Sequence, residues 1–190
     1  MQEQEPVPSI RITFRTALPS DSARVAELHA ASWRSAYRGF LSDAYLDTDI
    51  VAERAQVWQA RLVPPSERQY VLLAEEEDNL IGFACVLLDE EPAWGACLDN
   101  LHVRPSLIGQ GLGGALLTQA LRWVAQTEPG WPMHLWVLAG NTAARRFYVR
   151  HGGELVEHAT KHLPDGSMPP VCRYLWRDPA RLRTALPSEE

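Results

Sequence analysis

Residues 108–114, Ile-Gly-Gln-Gly-Leu-Gly-Gly, sit between a strand-like run and an Ala/Leu-rich stretch. A turn of this kind can aim several backbone N–H groups at one point, at the positive end of the following helix. Glycine matters there because a Cβ would hold a ligand away from the backbone. The chemistry is anion binding, with phosphate as the usual occupant. The helix dipole adds only about 0.3–1 kcal/mol, so hydrogen bonds would carry most of the affinity. The alternative is a tight turn that needs positive φ. Gly109, Gly111 and Gly114 also match the spacing G-x-G-x-x-G, but a dinucleotide site expects an acidic strand end about 20 residues on. Met133-His134-Leu135-Trp136 offers no acid, and no Gly-Lys-Ser/Thr follows the turn, so dinucleotide and nucleoside-triphosphate loops are both set aside. Asn141 reads as the N-cap of a helix. Phe147 and Tyr148, further along that helix, read as core aromatics.

The elements that must position these residues alternate in type. Residues 10–14 have period two and predict a strand. Pro19-Ser20-Asp21-Ser22 starts a helix carrying Val25, Leu28, Trp33 and Tyr37, which Gly39 breaks. A second helix over 51–62 ends at Pro64-Pro65. Strands follow at 70–74 and 80–88, joined by the acidic hairpin turn 75–79, whose charges are expected in solvent. Residues 96–103 form a strand stopped by Pro105, and 112–127 a helix. A strand at 133–138, a helix at 141–151 and strands at 155–160 and 171–176 complete the order β-α-α-β-β-β-α-β-α-β-β. Three consecutive strands point to mixed α+β pairing. Residues 1–9 and 179–190 are expected as solvated tails around one domain, 10–178.

Composition narrows the function classes. A chain of 190 residues with 46% hydrophobic and 22% charged residues is an ordinary globular domain. Its net charge of −6 counts against a nucleic-acid or anionic-membrane partner. Three widely spaced cysteines, with no CxxC and no histidine at ligand spacing, argue against disulfides and metal and fit a reducing cytoplasm. The basic set is seventeen arginines and one lysine, Lys161. No signal peptide or membrane span is expected.

Two segments resemble the GCN5-related N-acetyltransferase (GNAT) superfamily. Leu101-His102-Val103-Arg104-Pro105, with Gly109-Gln110-Gly111-Leu112-Gly113-Gly114-Ala115-Leu116-Leu117, is similar to the family's acetyl-CoA pyrophosphate motif. Leu135-Trp136-Val137 with Asn141, Ala144, Phe147, Tyr148 and Gly152 is similar to its second cofactor motif. Ser32 to Leu41, with Tyr45 and Leu46, resembles the acceptor-side helices of one bacterial branch. The resemblance implies an α+β (α/β sandwich-like) fold with a mixed, mostly antiparallel central sheet of six to seven strands and about four flanking helices. It implies acetyl-CoA as cosubstrate, held by Leu101, His102, Val103, residues 108–114, Asn141 and Tyr148, without a metal. Two departures stand out: Ile108 replaces a usual Arg or Gln, and the Glu often found near Cys97 is missing.

Direct transfer of acetyl to an amine makes three demands. An ammonium with pKa near 10.4 is only about 0.04% neutral at pH 7, a cost of roughly 4–5 kcal/mol, so a proton acceptor helps. Asp99, Glu90, Glu91 and His102 are the candidates. Asp99 is expected on the face of Leu101, and His102 on the other. The developing oxyanion needs a donor, a backbone N–H near Val103. The thiolate needs a proton, and Tyr148 resembles the family's general acid. Trp33, Tyr37 and Trp94 would form an apolar or cation-binding acceptor pocket, or simply pack; Glu91 is the acidic candidate beside it. Arg145 and Arg146 would pair with cofactor phosphates or stand as exposed helix arginines. The leading expectation is a cytoplasmic enzyme acetylating a small amine. A protein or peptide N-terminal acetyltransferase and a non-catalytic acyl-CoA-binding module are the alternatives. A homodimer is compatible with all three.

Overall fold

The chain's computed structural model describes residues 12–181. The expected tail 1–9, most of the expected tail 179–190 and the start of the first predicted strand lie outside them. The element order is β1 (Ile12–Thr16), α1 (Ser22–Ala36), α2 (Ile50–Leu62), β2 (Gln69–Glu76), β3 (Asn79–Leu87), β4 (Ala96–Val103), α3 (Leu112–Thr127), β5 (Met133–Leu138), α4 (Thr142–Arg150), β6 (Glu154–Thr160) and β7 (Pro170–Trp176). These form one seven-stranded sheet in the order β1-β2-β3-β4-β5-β7-β6. Among the described strands the only parallel pair is β4 with β5; the others are antiparallel. The α+β expectation holds, with four α-helices around a mixed sheet.

Apolar patterning explains the layers. Helices α1 and α2 place Val25, Leu28, Trp58 and Leu62 against Val71, Leu73, Phe83 and Cys85 on one face of the sheet. On the other face α3 places Leu116, Leu117, Leu121 and Val124 against Leu72, Ala84, Val86, Leu98 and Leu135. Burying each such side chain contributes about 1.5–3 kcal/mol. Helix α1 ends at Ala36 with Tyr37 as its C-cap, and Gly39, at φ +87°, takes a left-handed conformation in the turn that follows. No described helix is long and apolar enough to cross a membrane.

One expectation fails in the β2–β3 hairpin. The turn itself is Glu77-Asp78, both at positive φ, as a two-residue hairpin requires. Glu75, expected in solvent, lies within β2 and is buried. Ile81 of β3 is the extra residue where the register shifts past Ala74, and Glu75 keeps the alternation of Val71 and Leu73, toward α1 and α2. Its carboxylate meets Arg15 at 2.7 Å and Arg24 at 2.9 Å, and both arginines also hold Asp21.

A second bulge matters more. Val86 pairs with Leu98 and Cys85 with Asn100, which leaves Asp99 as the extra residue of β4. Just before that bulge β4 also leaves its other neighbour. The β4–β5 pairing consists of Ala96 with Met133 and Cys97 with His134. From there the two strands diverge, and the facing main-chain edges of β4 and β5 form an open fork.

Candidate active site

The glycine turn stands on the α3 side of this fork. Gly109 and Gly111 have φ of +89° and +83°, and Gly111 is the residue from which α3 starts. Their missing Cβ atoms would meet nothing within 4 Å, so the space beside the backbone is open. No side chain caps α3, and the first-turn N–H groups of a helix have no partner within it. Both sequence readings therefore apply together: positive φ is required, and the donors remain free for an anion. Gly114 serves a different need. A Cβ there would fall 2.8 Å from His151 Nε2, so this glycine lets α3 approach the end of α4; one on Gly113 would meet the Phe147 ring at an ordinary contact distance of 3.5 Å. Ile108 at the loop entrance is 65% exposed, and Gln110 reaches the Ser106 carbonyl only at 3.5 Å. Leu101 and Val103 pack toward the α3 core.

Helix α4 begins at Asn141, whose side chain accepts from the Ala144 N–H at 3.1 Å. It packs Tyr148 against the α3-side core, with the rings of Tyr174 and Trp176 each 6.0 Å away. Burial, and after it the nearby Tyr37, push the Tyr148 hydroxyl above its usual value, so it keeps its proton at neutral pH. Tyr37, from the end of α1, is pushed up to about 12 by burial and then by Asp99. The fold thus draws Tyr148, Tyr37 and Asp99 into one neighbourhood from three elements. Trp33 packs edge-on to Tyr37 with ring centroids 5.1 Å apart, as an acceptor wall would require.

Asp99 is not on the face of Leu101. The bulge turns its carboxylate toward α2, where Arg61 Nη1 donates to it at 2.6 Å and to Asn100 Oδ1 at 2.9 Å. His102 does face away from Leu101, as expected. Its Nδ1 is 2.9 Å from Ser32 Oγ, and its ring lies 4.5 Å from that of the buried His29. Burial and then Arg54 push His102 down to about 3, which makes it a poor proton acceptor. With its side chain turned to α1, His102 offers the cradle only its main chain. Trp58 Nε1–H donates to His29 Nδ1 at 2.9 Å; an indole N–H can only donate, so neutral His29 carries its proton on Nε2.

Glu91 and Trp94 are placed differently from the sequence expectation. Glu91 accepts from Trp136 Nε1 at 2.8 Å, Lys161 at 3.2 Å and Arg173 at 2.6 Å. Burial alone would raise its carboxyl; those three donors overcome it and hold it at about 2. Trp94 lies 4.1 Å from the Arg173 guanidinium, which lies 4.2 Å from Trp136. Trp94 therefore joins this cluster, and its indole is committed to a cation already present. Arg145 also has internal partners, the Tyr174 hydroxyl at 3.3 Å and the Ala139 carbonyl at 3.0 Å; Arg146 is exposed. Sequence reasoning missed Arg61 and Arg173, and it read Trp136 only as part of the motif at 135–137. Arg173 had a signal: an arginine centred in the apolar strand 170–176 must find a carboxylate.

The acetyltransferase (GNAT) family model matches residues 23–153. The chain belongs to this family and is an acetyltransferase. It is 31% identical over 142 residues to a Mycobacterium tuberculosis protein named a probable N-acetyltransferase, covering 73% of this chain and 78% of that one. In structure it resembles the PaiA N-acetyltransferase of Thermoplasma acidophilum in complex with coenzyme A, with a TM-score of 0.69 at 19% identity over 86% of this chain and 98% of the other. It also resembles yncA of Salmonella typhimurium, solved with its cofactor acetyl-CoA, with a TM-score of 0.65 at 17% identity over 88% and 94% of the two chains.

Proposed function

We propose that the protein acetylates the primary amine of a small molecule, with acetyl-CoA as donor, by direct attack in a ternary complex. The observation that carries the choice of acceptor is a roof over the acceptor side. Phe40 packs so closely on Gly140 that a Cβ there would lie 2.5 Å from its ring. The Ser42 N–H donates to Asp165 at 2.8 Å. Leu163 packs, as Trp33 and Tyr37 do, against the buried cluster that includes Leu41 and Tyr45. The segment after α1 is thus strapped to the start of α4 and to the β6–β7 loop, where a protein N-terminus would need an open groove.

The residues present fit acetyl-CoA. Uncapped N–H groups at 109–114 would hold its pyrophosphate, and the unpaired edges of β4 and β5 its pantetheine arm. When bound, it supplies the acetyl thioester. Asp99 then takes a proton from the acceptor ammonium, and Trp33 and Tyr37 hold its apolar part. The Val103 N–H donates to the carbonyl oxygen as negative charge develops on it, an effect that gains strength where water is scarce. Tyr148 holds the proton that the departing sulfur needs. The three cysteines are buried free thiols, in keeping with a cytoplasmic setting.

A panel of small primary amines and N-terminal peptides, with released CoA detected as free thiol, tests the acceptor class. Turnover with small amines and none with peptides is expected. Turnover confined to peptides would overturn the small-molecule assignment.

A further inference from the structure

Lys161 is the only lysine in the chain, and the transfer chemistry above does not use it. It follows the last residue of β6, and its N–H meets the Pro169 carbonyl at 3.3 Å across the base of the β6–β7 loop. Its ammonium lies 3.2 Å from Glu91 Oε1 and 4.7 Å from the centre of the Trp136 indole, and the side chain stays 41% exposed. A carboxylate and an aromatic face are what an enzyme would use to hold an acceptor ammonium. The location is as telling as the cage. Trp136 is two residues beyond His134, which pairs with Cys97 in the last rung before β4 and β5 diverge. The Lys161 charge reaches both members of that rung: it opposes the upward push on the Cys97 thiol and adds to the downward push on His134. The single side-chain amine of the protein therefore stands at the root of the fork.

We propose that Lys161 is a self-acetylation site, an inference that rests on the acetyl-CoA reading above. Lys161 Nζ, once it has given a proton to solvent, forms a bond to the acetyl carbon. The nitrogen gives up a second proton as the C–S bond breaks, the sulfur leaves with the electron pair and takes up a proton, and the products are Nε-acetyl-lysine and free CoA. The modification removes the charge. Glu91 then keeps Arg173 and the Trp136 N–H as partners, while the Lys161 ion pair and the cation–π contact with Trp136 are lost.

The test is to incubate the full chain with millimolar acetyl-CoA without any acceptor, follow intact mass, locate the acetyl group by peptide mapping, and record the acetyl-CoA-induced rise in Tm on the same samples. One acetyl group on Lys161 is expected, gained with a rate constant that does not change with protein concentration and absent from Lys161→Arg. Three results overturn the proposal. A rise in Tm with Lys161 unmodified leaves the cofactor reading standing and removes this inference alone. Equal modification of the heat-unfolded chain means simple chemical acetylation. No rise in Tm and no acetylation removes the cofactor reading and this inference with it.

Discussion

The two sides of the β4–β5 fork are built from different materials. On the α3 side the groups offered to a ligand are main-chain N–H donors, fixed by a short glycine-rich segment. On the α1–α2 side the groups are side chains assembled from distant elements: Trp33 and Tyr37 from α1, Arg61 from α2, Asp99 from the β4 bulge. The first design tolerates a net charge of −6, because backbone dipoles bind an anion without spending a cation. The second is where acceptor choice and proton transfer can vary, since each side chain can change without disturbing the cradle.

If that division holds, the largest loss comes from the side-chain half. Asp99→Asn is expected to lower kcat about a hundredfold, the lower end of general-base effects, with the acetyl-CoA Kd unchanged; steady-state kinetics and calorimetry separate the two. On the other half, Gly111→Val places a β-branched residue at φ +83°, a strain of about 1–3 kcal/mol. It is expected to raise the acetyl-CoA Kd about tenfold and to leave the acceptor KM alone. A rise in acceptor KM instead would break the comparison.

The side-chain face should also answer to pH. His102 and His134 sit at about 3 and about 4 in the folded chain, against 6.5 when unfolded. Below pH 6.5 the unfolded chain takes protons that the folded chain refuses, so stability falls as pH falls. Glu91 and Asp21, both held at about 2, add stability in full above the unfolded carboxyl range and lose it as pH drops toward 2. A Tm series should therefore decline below pH 6.5 and more steeply below about 4.5. A flat Tm down to pH 5 would contradict the buried neutral histidines. The smallest effect expected is from Glu91→Gln: a Tm lower by a few degrees, since Arg173 keeps Glu157 at 2.8 Å, and no change in acetyl-CoA Kd.

The same division explains what was legible in the sequence. Element order, the helix stop just before Gly39, the Asn141 cap and the glycine turn all depend on neighbours within a few positions, and each is present as read. The bulge at Asp99 and the arginines that meet Glu75 depend on partners brought together by the fold, and period-two alternation carries no mark of them. That is why Asp99 was expected on the wrong face and Glu75 in solvent. Trp94 shares with Trp33 and Tyr37 only its aromatic type. Its actual partner, Arg173, is 79 positions away and faces it only once β7 is laid beside β5.

The most direct measurement compares Tyr148→Phe with the unmodified protein, reading acetyl-CoA Kd and kcat on the same preparation. The division between a main-chain cradle and side-chain chemistry predicts an unchanged Kd and a kcat lower by about tenfold or more. An unchanged kcat, or a loss of acetyl-CoA binding, would contradict it.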